Sequence, residues 1–121
     1  MKKVSIYIPA YNAEKTIKHT IKSVENQTYK FDEIIIIDDN SSDDTCKIIN
    51  QFKNIKLIKN KMNMGLGYNR NLGIKTSKNK IVASIDADVV LNQEWLNTII
   101  KNFKSDENVM CGGKMIEKLV E

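Results

Sequence analysis

Histidine, arginine and proline each occur once in this chain, as His19, Arg70 and Pro9, and cysteine occurs only twice. Cys46 and Cys111 have no Cys or His at metal-ligand spacing, which argues against a disulfide scaffold and a zinc site and implies a reducing, cytoplasmic setting. The longest apolar stretch, Ile34 to Ile37, is far short of the ~20 residues a membrane span requires, and Val4 to Ile8 is too short and mixed for a signal peptide. No basic stripe with interleaved aromatics occurs beyond the modest Lys53 to Lys61 segment, so nucleic acid is not an expected partner. The balance of 19 basic and 15 acidic residues, net +4, favours solubility and a mild pull on anions. His19 falls off the apolar face that Ile17, Ile21 and Val24 would share on a helix, so no histidine-based mechanism is supported.

What remains is an ordinary globular composition, 41% hydrophobic and 28% charged over 121 residues, enough for one domain spanning 1–121 with one core. The apolar period alternates between strand-like and helix-like, the pattern of a β-α-β sheet. Val4 to Ile8 reads as β1, stopped by Pro9, and Asn12 offers a cap to a helix carrying Ile17, Ile21 and Val24. Glu33 to Asp38, with four consecutive isoleucines, reads as β2 covered on both faces. Ser41, Ser42 and Asp43 supply helix-start chemistry for α2, and Ile55 to Ile58 forms β3. Leu66 to Thr76 is α3, whose Gly67 and Gly73 imply close approach of its backbone to a strand or ligand. Ile81 to Ile85 is β4, Gln93 to Phe103 is α4, and Asn108 to Gly113 offers a fifth strand. The expected fold is an α/β, Rossmann-like three-layer sandwich around a mostly parallel sheet, ending after about the fifth strand.

In such sheets ligands bind beyond the carboxyl ends of the strands, and the polar signals of this chain fall there. Asp86 and Asp88 follow β4 at a spacing that turns both carboxylates to one side of an extended segment, which suits Mg²⁺ or Mn²⁺; alternatively they are loop and capping residues ahead of Gln93. Asp38 and Asp39 close β2 and could accept from a base or ribose, or simply begin a turn; Asp43 and Asp44 read as helix-start acids. Tyr11 could stack on a base or pack. Arg70 could fork onto phosphate or be a chance surface residue. The first β-α turn, Pro9 to Ala13, has no glycine, so the dinucleotide fingerprint is missing, and no P-loop motif occurs anywhere.

Taken in order, Val4-Ser5-Ile6-Tyr7-Ile8-Pro9-Ala10-Tyr11-Asn12, Glu33 to Thr45, Asn63-Met64-Gly65 with Asn69 to Ile74, and Asp86-Ala87-Asp88 resemble the nucleotide-sugar-binding part of a family 2 glycosyltransferase of GT-A fold. The resemblance implies that Pro9, Ala10 and Tyr11 line a nucleobase pocket, with Asn12 beside them, Glu14 near the ribose and Asp39 accepting from the base edge. It implies that Gly65 and Arg70 lie near the nucleotide or its phosphates, and that Asp86, Ala87 and Asp88 form a D-x-D motif with Asp88 the direct ligand of Mn²⁺ or Mg²⁺. The implied reaction is inverting transfer of a sugar from a nucleoside diphosphate, with UDP ahead of GDP and dTDP, to an acceptor hydroxyl on a saccharide, lipid or protein. This fits polysaccharide biosynthesis in the cytoplasm or at the cytoplasmic face of a membrane.

Relatives of this kind continue well past the D-x-D, carrying the base and acceptor site there. Glu94, Asp106 and Glu107 do not converge on the site and none is assigned as base, and Val89 stands where many members have a further acid. An acceptor half that is missing leaves an exposed sheet edge, through which a homodimer is expected. Two other classes fit parts of the pattern: a non-catalytic nucleotide-binding or interaction module, and a metal-dependent nucleotidyltransferase.

Overall fold

The computed structural model describes residues 2–102, so the expected fifth strand over Asn108 to Gly113, with Asp106, Glu107 and Cys111, lies outside the described residues. Four strands and four helices alternate: β1 Val4–Ala10, α1 Ile17–Glu25, β2 Glu33–Asp38, α2 Thr45–Ile49, β3 Lys56–Lys59, α3 Leu66–Thr76, β4 Ile81–Ser84 and α4 Trp95–Asn102. Every strand pairing is parallel and the sheet order is β3-β2-β1-β4. The chain therefore walks outward from β1 through β2 to β3, then crosses back to place β4 on the other side of β1. That reversal makes the gap between the carboxyl ends of β1 and β4 the topological switch point, where helices diverge and a crevice opens.

Two apolar layers hold the sheet, and strand alternation assigns residues to them. Val4, Ile6, Ile8 and Ala10 of β1 and Ile34 and Ile36 of β2 face Ile17, Ile21 and Val24 of α1, Ile49 of α2, and Trp95, Leu96 and Ile99 of α4. Tyr7, Ile35 and Ile37 face the opposite way and meet Leu72 of α3. The unbroken isoleucine run of β2 is thus the signature of a strand buried on both sides. Gly73 lets α3 lie directly on this second layer: a Cβ there would stand 2.4 Å from the Tyr7 ring. Gly67 has open space around it, so the close approach expected of both glycines holds for Gly73 alone.

Several local expectations are corrected. β1 continues through Pro9, which pairs with Ile37 of β2. The Ala10 carbonyl accepts from Asp39 N–H on the β2 side, so alternation turns the Pro9 nitrogen toward β4, beyond the last paired residue Ser84, and no ladder bond is lost. Asn12 does not cap α1, which begins at Ile17 after Thr16; instead it adopts φ 47° and reaches across to the β2 loop. β3 is displaced by one residue, and α4 starts at Trp95 because the buried Gln27 side chain accepts from Leu96 N–H at 2.9 Å and donates to the Asn92 carbonyl at 2.7 Å.

Candidate functional site

The loop after β1 is stitched to the loop after β2 by side chains that receive its backbone donors. Asn12 N–H donates to Ser41 Oγ at 2.8 Å, Ala13 N–H to Thr45 Oγ1 at 2.8 Å, and Glu14 N–H to Asp43 Oδ2 at 3.3 Å. In return, Asn12 Oδ1 accepts from Ser42 N–H at 2.8 Å. With three successive N–H groups consumed internally, this turn cannot cradle phosphate as a glycine-rich turn does. It presents side chains instead, and Tyr11 stands 55% exposed at its tip. Asp43 also accepts from Thr45 N–H at 3.0 Å, which fits its reading as a helix-start acid, while Ser41 and Ser42 bind Asn12 rather than α2.

Asp39, only 5% exposed, organises the next loop. Its Oδ1 accepts from Asn60 Nδ2 at 2.9 Å and Met64 N–H at 2.8 Å, and its Oδ2 from Gly65 N–H at 3.0 Å. Burial pushes its pKa up, but the Met64, Asn60 and Gly65 bonds outweigh that and hold the carboxyl below its ordinary value. Three carboxylate acceptor positions are thus committed to residues 60–65, and the Asn69 side chain adds a further bond that lowers the pKa. Asn60 Nδ2 also donates to Asn69 Oδ1 at 2.7 Å, which fastens the loop to α3 just before Arg70. Arg70 itself is exposed and has no hydrogen-bond or ion-pair partner among the described residues.

Asp38 is 1% exposed, with Oδ2 accepting from Ser41 N–H at 3.1 Å and Oδ1 lacking a partner among the described residues. The neighbouring Cys46 thiol is pushed up to about 11, first by burial and then by the Asp38 carboxylate.

Beyond β4 the chain closes a β-turn, Val89 N–H donating to the Asp86 carbonyl at 3.2 Å. Asp86 and Asp88 are both exposed, and neither carboxylate has a hydrogen-bond or ion-pair partner among the described residues. The turn is anchored from behind, since Thr16 Oγ1 and Thr20 Oγ1 of the α1 region both donate to the Ala87 carbonyl, at 3.0 and 2.8 Å. No sequence pattern pointed to these two threonines; only the fold brings them within reach of a residue about seventy positions away.

Pro9, Ala10, Tyr11, Asn12, Glu14, Asp39, Gly65, Asp86, Ala87 and Asp88 therefore all lie at or just beyond the carboxyl ends of β1, β2, β3 or β4. Glu94 does not join them: Asn97 Nδ2 donates to it at 3.0 Å, and it lies by Thr28, which follows α1 at the opposite edge of the sheet. An open groove of about 610 Å³ lined by His19, Lys22 and Val90 runs along the outer flank of α1 and includes none of the expected site residues.

The four-strand, all-parallel sheet flanked by helices matches solved GT-A glycosyltransferase structures, which places the chain in the GT-A class of α/β folds. Residues 5–119 match the family model described as Glycosyl transferase family 2, and the chain belongs to that family. It is 35% identical over 122 residues to an uncharacterized glycosyltransferase of Haemophilus influenzae, covering 98% of this chain and 38% of that protein. It is 43% identical over 104 residues to the Escherichia coli UDP-Glc:alpha-D-GlcNAc-diphosphoundecaprenol beta-1,3-glucosyltransferase WfaP, covering 84% of this chain and 40% of that one. Among solved structures, S. aureus TarS 1-349 in complex with UDP-GlcNAc superposes with a TM-score of 0.76 at 30% identity, covering 82% of this chain and 30% of that chain. The chain thus spans about 40% of the length of these curated relatives.

Proposed function

We propose that this chain carries the donor-binding part of an inverting glycosyltransferase, which moves a sugar from a nucleoside diphosphate, UDP foremost, to an acceptor hydroxyl. The observation that carries the reading is the Asp86–Val89 turn at the switch point, with two exposed carboxylates that have no Lys or Arg partner among the described residues. Among the described residues no group of three or more His, Cys, Asp or Glu could cage a metal. Two carboxylates are nonetheless what Mg²⁺ or Mn²⁺ takes from a protein when substrate phosphates and water complete its shell. Asp88 and Asp86 would hold that ion, which when bound supplies positive charge to the departing diphosphate.

In this reading the exposed Tyr11 ring stacks on the base against Pro9 and Ala10, while Asn12 and Glu14 border the ribose. Asp39 accepts from the base edge and, through its bond to the Gly65 amide, sets the Gly65 turn, which holds φ 88°. Arg70 receives the diphosphate through its planar fork. The names of the relatives support UDP as the nucleotide, since WfaP is named for UDP-Glc and TarS is seen with UDP-GlcNAc.

The acceptor site and the base belong, on this reading, to the further length that the relatives possess, and we read residues 1–121 as one donor-binding domain. A diphosphoundecaprenol-linked acceptor in the name of WfaP supports work at a membrane surface, which we read as its cytoplasmic face. No helix among the described residues is long and apolar enough to cross one. A homodimer through an exposed sheet edge would avoid β3, which carries Lys56 and Lys59 at its ends, since such charges discourage edge pairing.

Thermal unfolding with UDP, GDP and dTDP, each with Mn²⁺ and with chelator, tests the reading, since a ligand that binds only the folded chain raises Tm. A metal-dependent rise that is largest for UDP supports it, and no rise with any nucleotide rejects it.

A further inference from the structure

We propose that Thr16 and Thr20 are positioning residues for the acidic turn, acting through its central peptide. This inference rests on the donor-site reading above and extends it to residues that touch neither ligand nor metal. Asp86 to Val89 is a four-residue turn, so the peptide joining Ala87 to Asp88 is its middle unit. That unit is what reverses when a turn changes type: between types I and II the second residue's ψ and the third residue's φ change by about 150° and 170°, and the middle carbonyl swings to the other side. Here the middle carbonyl is Ala87 O, and it accepts two hydroxyl donors, Thr16 Oγ1 at 3.0 Å and Thr20 Oγ1 at 2.8 Å.

Both lone pairs of that oxygen are therefore occupied from the α1 side. Each hydroxyl has one proton, and its alternative acceptor is farther, Ala13 O at 3.5 Å for Thr16 and Thr16 O at 3.4 Å for Thr20. Thr20 is fully buried, so its hydroxyl has no water to turn to. Since a trans peptide sets N–H opposite to C=O, the clamp also turns the Asp88 N–H away from α1. No acceptor for that N–H occurs among the described residues. The consequence is a fixed trio at the switch point: the Asp86 and Asp88 backbone positions held in one arrangement, and an N–H between them available to a ligand oxygen. Asp88 keeps a negative φ, as the only non-glycine residues with positive φ among those described are Asn12 and Asn40, and the reversed turn is the one that would push Asp88 positive.

The test compares the full chain with Thr16→Val/Thr20→Val and with Thr16→Ser/Thr20→Ser. Two readouts are taken, Mn²⁺ affinity in saturating UDP by electron paramagnetic resonance and ¹⁵N relaxation dispersion of the Asp88 amide without ligand. Loss of both hydroxyls is expected to weaken Mn²⁺ about 10-fold or more, the scale seen when groups that orient metal ligands are removed, and to broaden the Asp88 amide by exchange. The serine pair is expected to restore both, which a merely packing role of the threonine methyls would not. Equal Mn²⁺ affinity in the valine pair, with binding by the unaltered chain, overturns this inference alone. Failure of the unaltered chain to bind Mn²⁺ with UDP overturns the donor-site reading and the inference with it. Should the valine pair not fold, Thr16→Val and Thr20→Val singly carry the same criterion.

Discussion

Replacing Gly73 by alanine places a methyl where the Tyr7 ring already is. The added Cβ would stand 2.4, 2.5 and 2.8 Å from Tyr7 Cγ, Cδ2 and Cδ1, distances that real Cβ atoms do not show. Tyr7 cannot yield easily, because it is 5% exposed on the central strand and packed with Ile35 and Ile37. Overpacking of this kind costs about 1–3 kcal/mol, and the helix-propensity gain of alanine over glycine returns about 1 kcal/mol at most. We expect Gly73→Ala to be less stable by up to about 2 kcal/mol, a fall in Tm of up to roughly 8 °C for a domain this size. Gly67→Ala, on the same helix, is the internal control. Nothing lies within 4 Å of its added Cβ, so lower unfolded-state entropy should leave it unchanged or more stable by up to about 1 kcal/mol. Urea and thermal unfolding followed by circular dichroism measure both. Gly73→Ala as stable as Gly67→Ala would refute the close contact between α3 and β1.

Further outcomes follow for Asp39, Cys46 and Arg70. Asp39→Ala removes three bonds and leaves the Met64 and Gly65 amides without their acceptor, so a loss of about 2–4 kcal/mol is expected. The folded pKa of Asp39 lies below its ordinary value of 3.8, so its stabilisation is complete above that pH and is lost as pH falls through the folded value; amide exchange at Met64 and Gly65 measures it. The Cys46 thiol, raised from 9.0 to about 11, should alkylate on the order of a hundredfold more slowly at pH 8 than in urea, as read by peptide mass spectrometry. Because the folded chain keeps a proton that the unfolded chain releases, this thiol also lowers stability as pH rises from 9.0 toward about 11, which Cys46→Ala should relieve. Arg70→Lys keeps the charge but loses the planar fork, and a roughly tenfold weaker UDP affinity with unchanged uridine affinity is expected by calorimetry.

The sheet was legible because its strands announce themselves by burial. Four isoleucines between Glu33 and Asp38 admit few readings other than a strand covered on both sides, and the acids after β2 and β4 fall where a parallel sheet opens. Asn12 reads as a helix cap in the sequence because a cap and a left-handed turn residue share the same short amide, and only the partner, Ser42 across the sheet edge, tells them apart. Pro9 reads as a stop because sequence does not reveal that β4 has already ended on the side its nitrogen faces. Asp39 was visible as a strand-end acid, but not its commitment to Met64 and Gly65, which depends on where the chain returns after β3. The threonine clamp was invisible for the same reason, since its donors and acceptor meet only after β4 has crossed to the far side of β1.

The most direct test of the account is calorimetric titration of UDP into the chain with Mn²⁺, with chelator, and into Asp88→Asn with Mn²⁺. The account predicts saturable heat with Mn²⁺ that falls at least about tenfold in affinity with chelator and with Asp88→Asn, as expected when a carboxylate ligand of a diphosphate-bridging ion is removed. Binding of UDP that is equal in all three conditions would contradict the assignment of Asp86 and Asp88, and absence of binding in every one would contradict a donor site at the β1–β4 switch point.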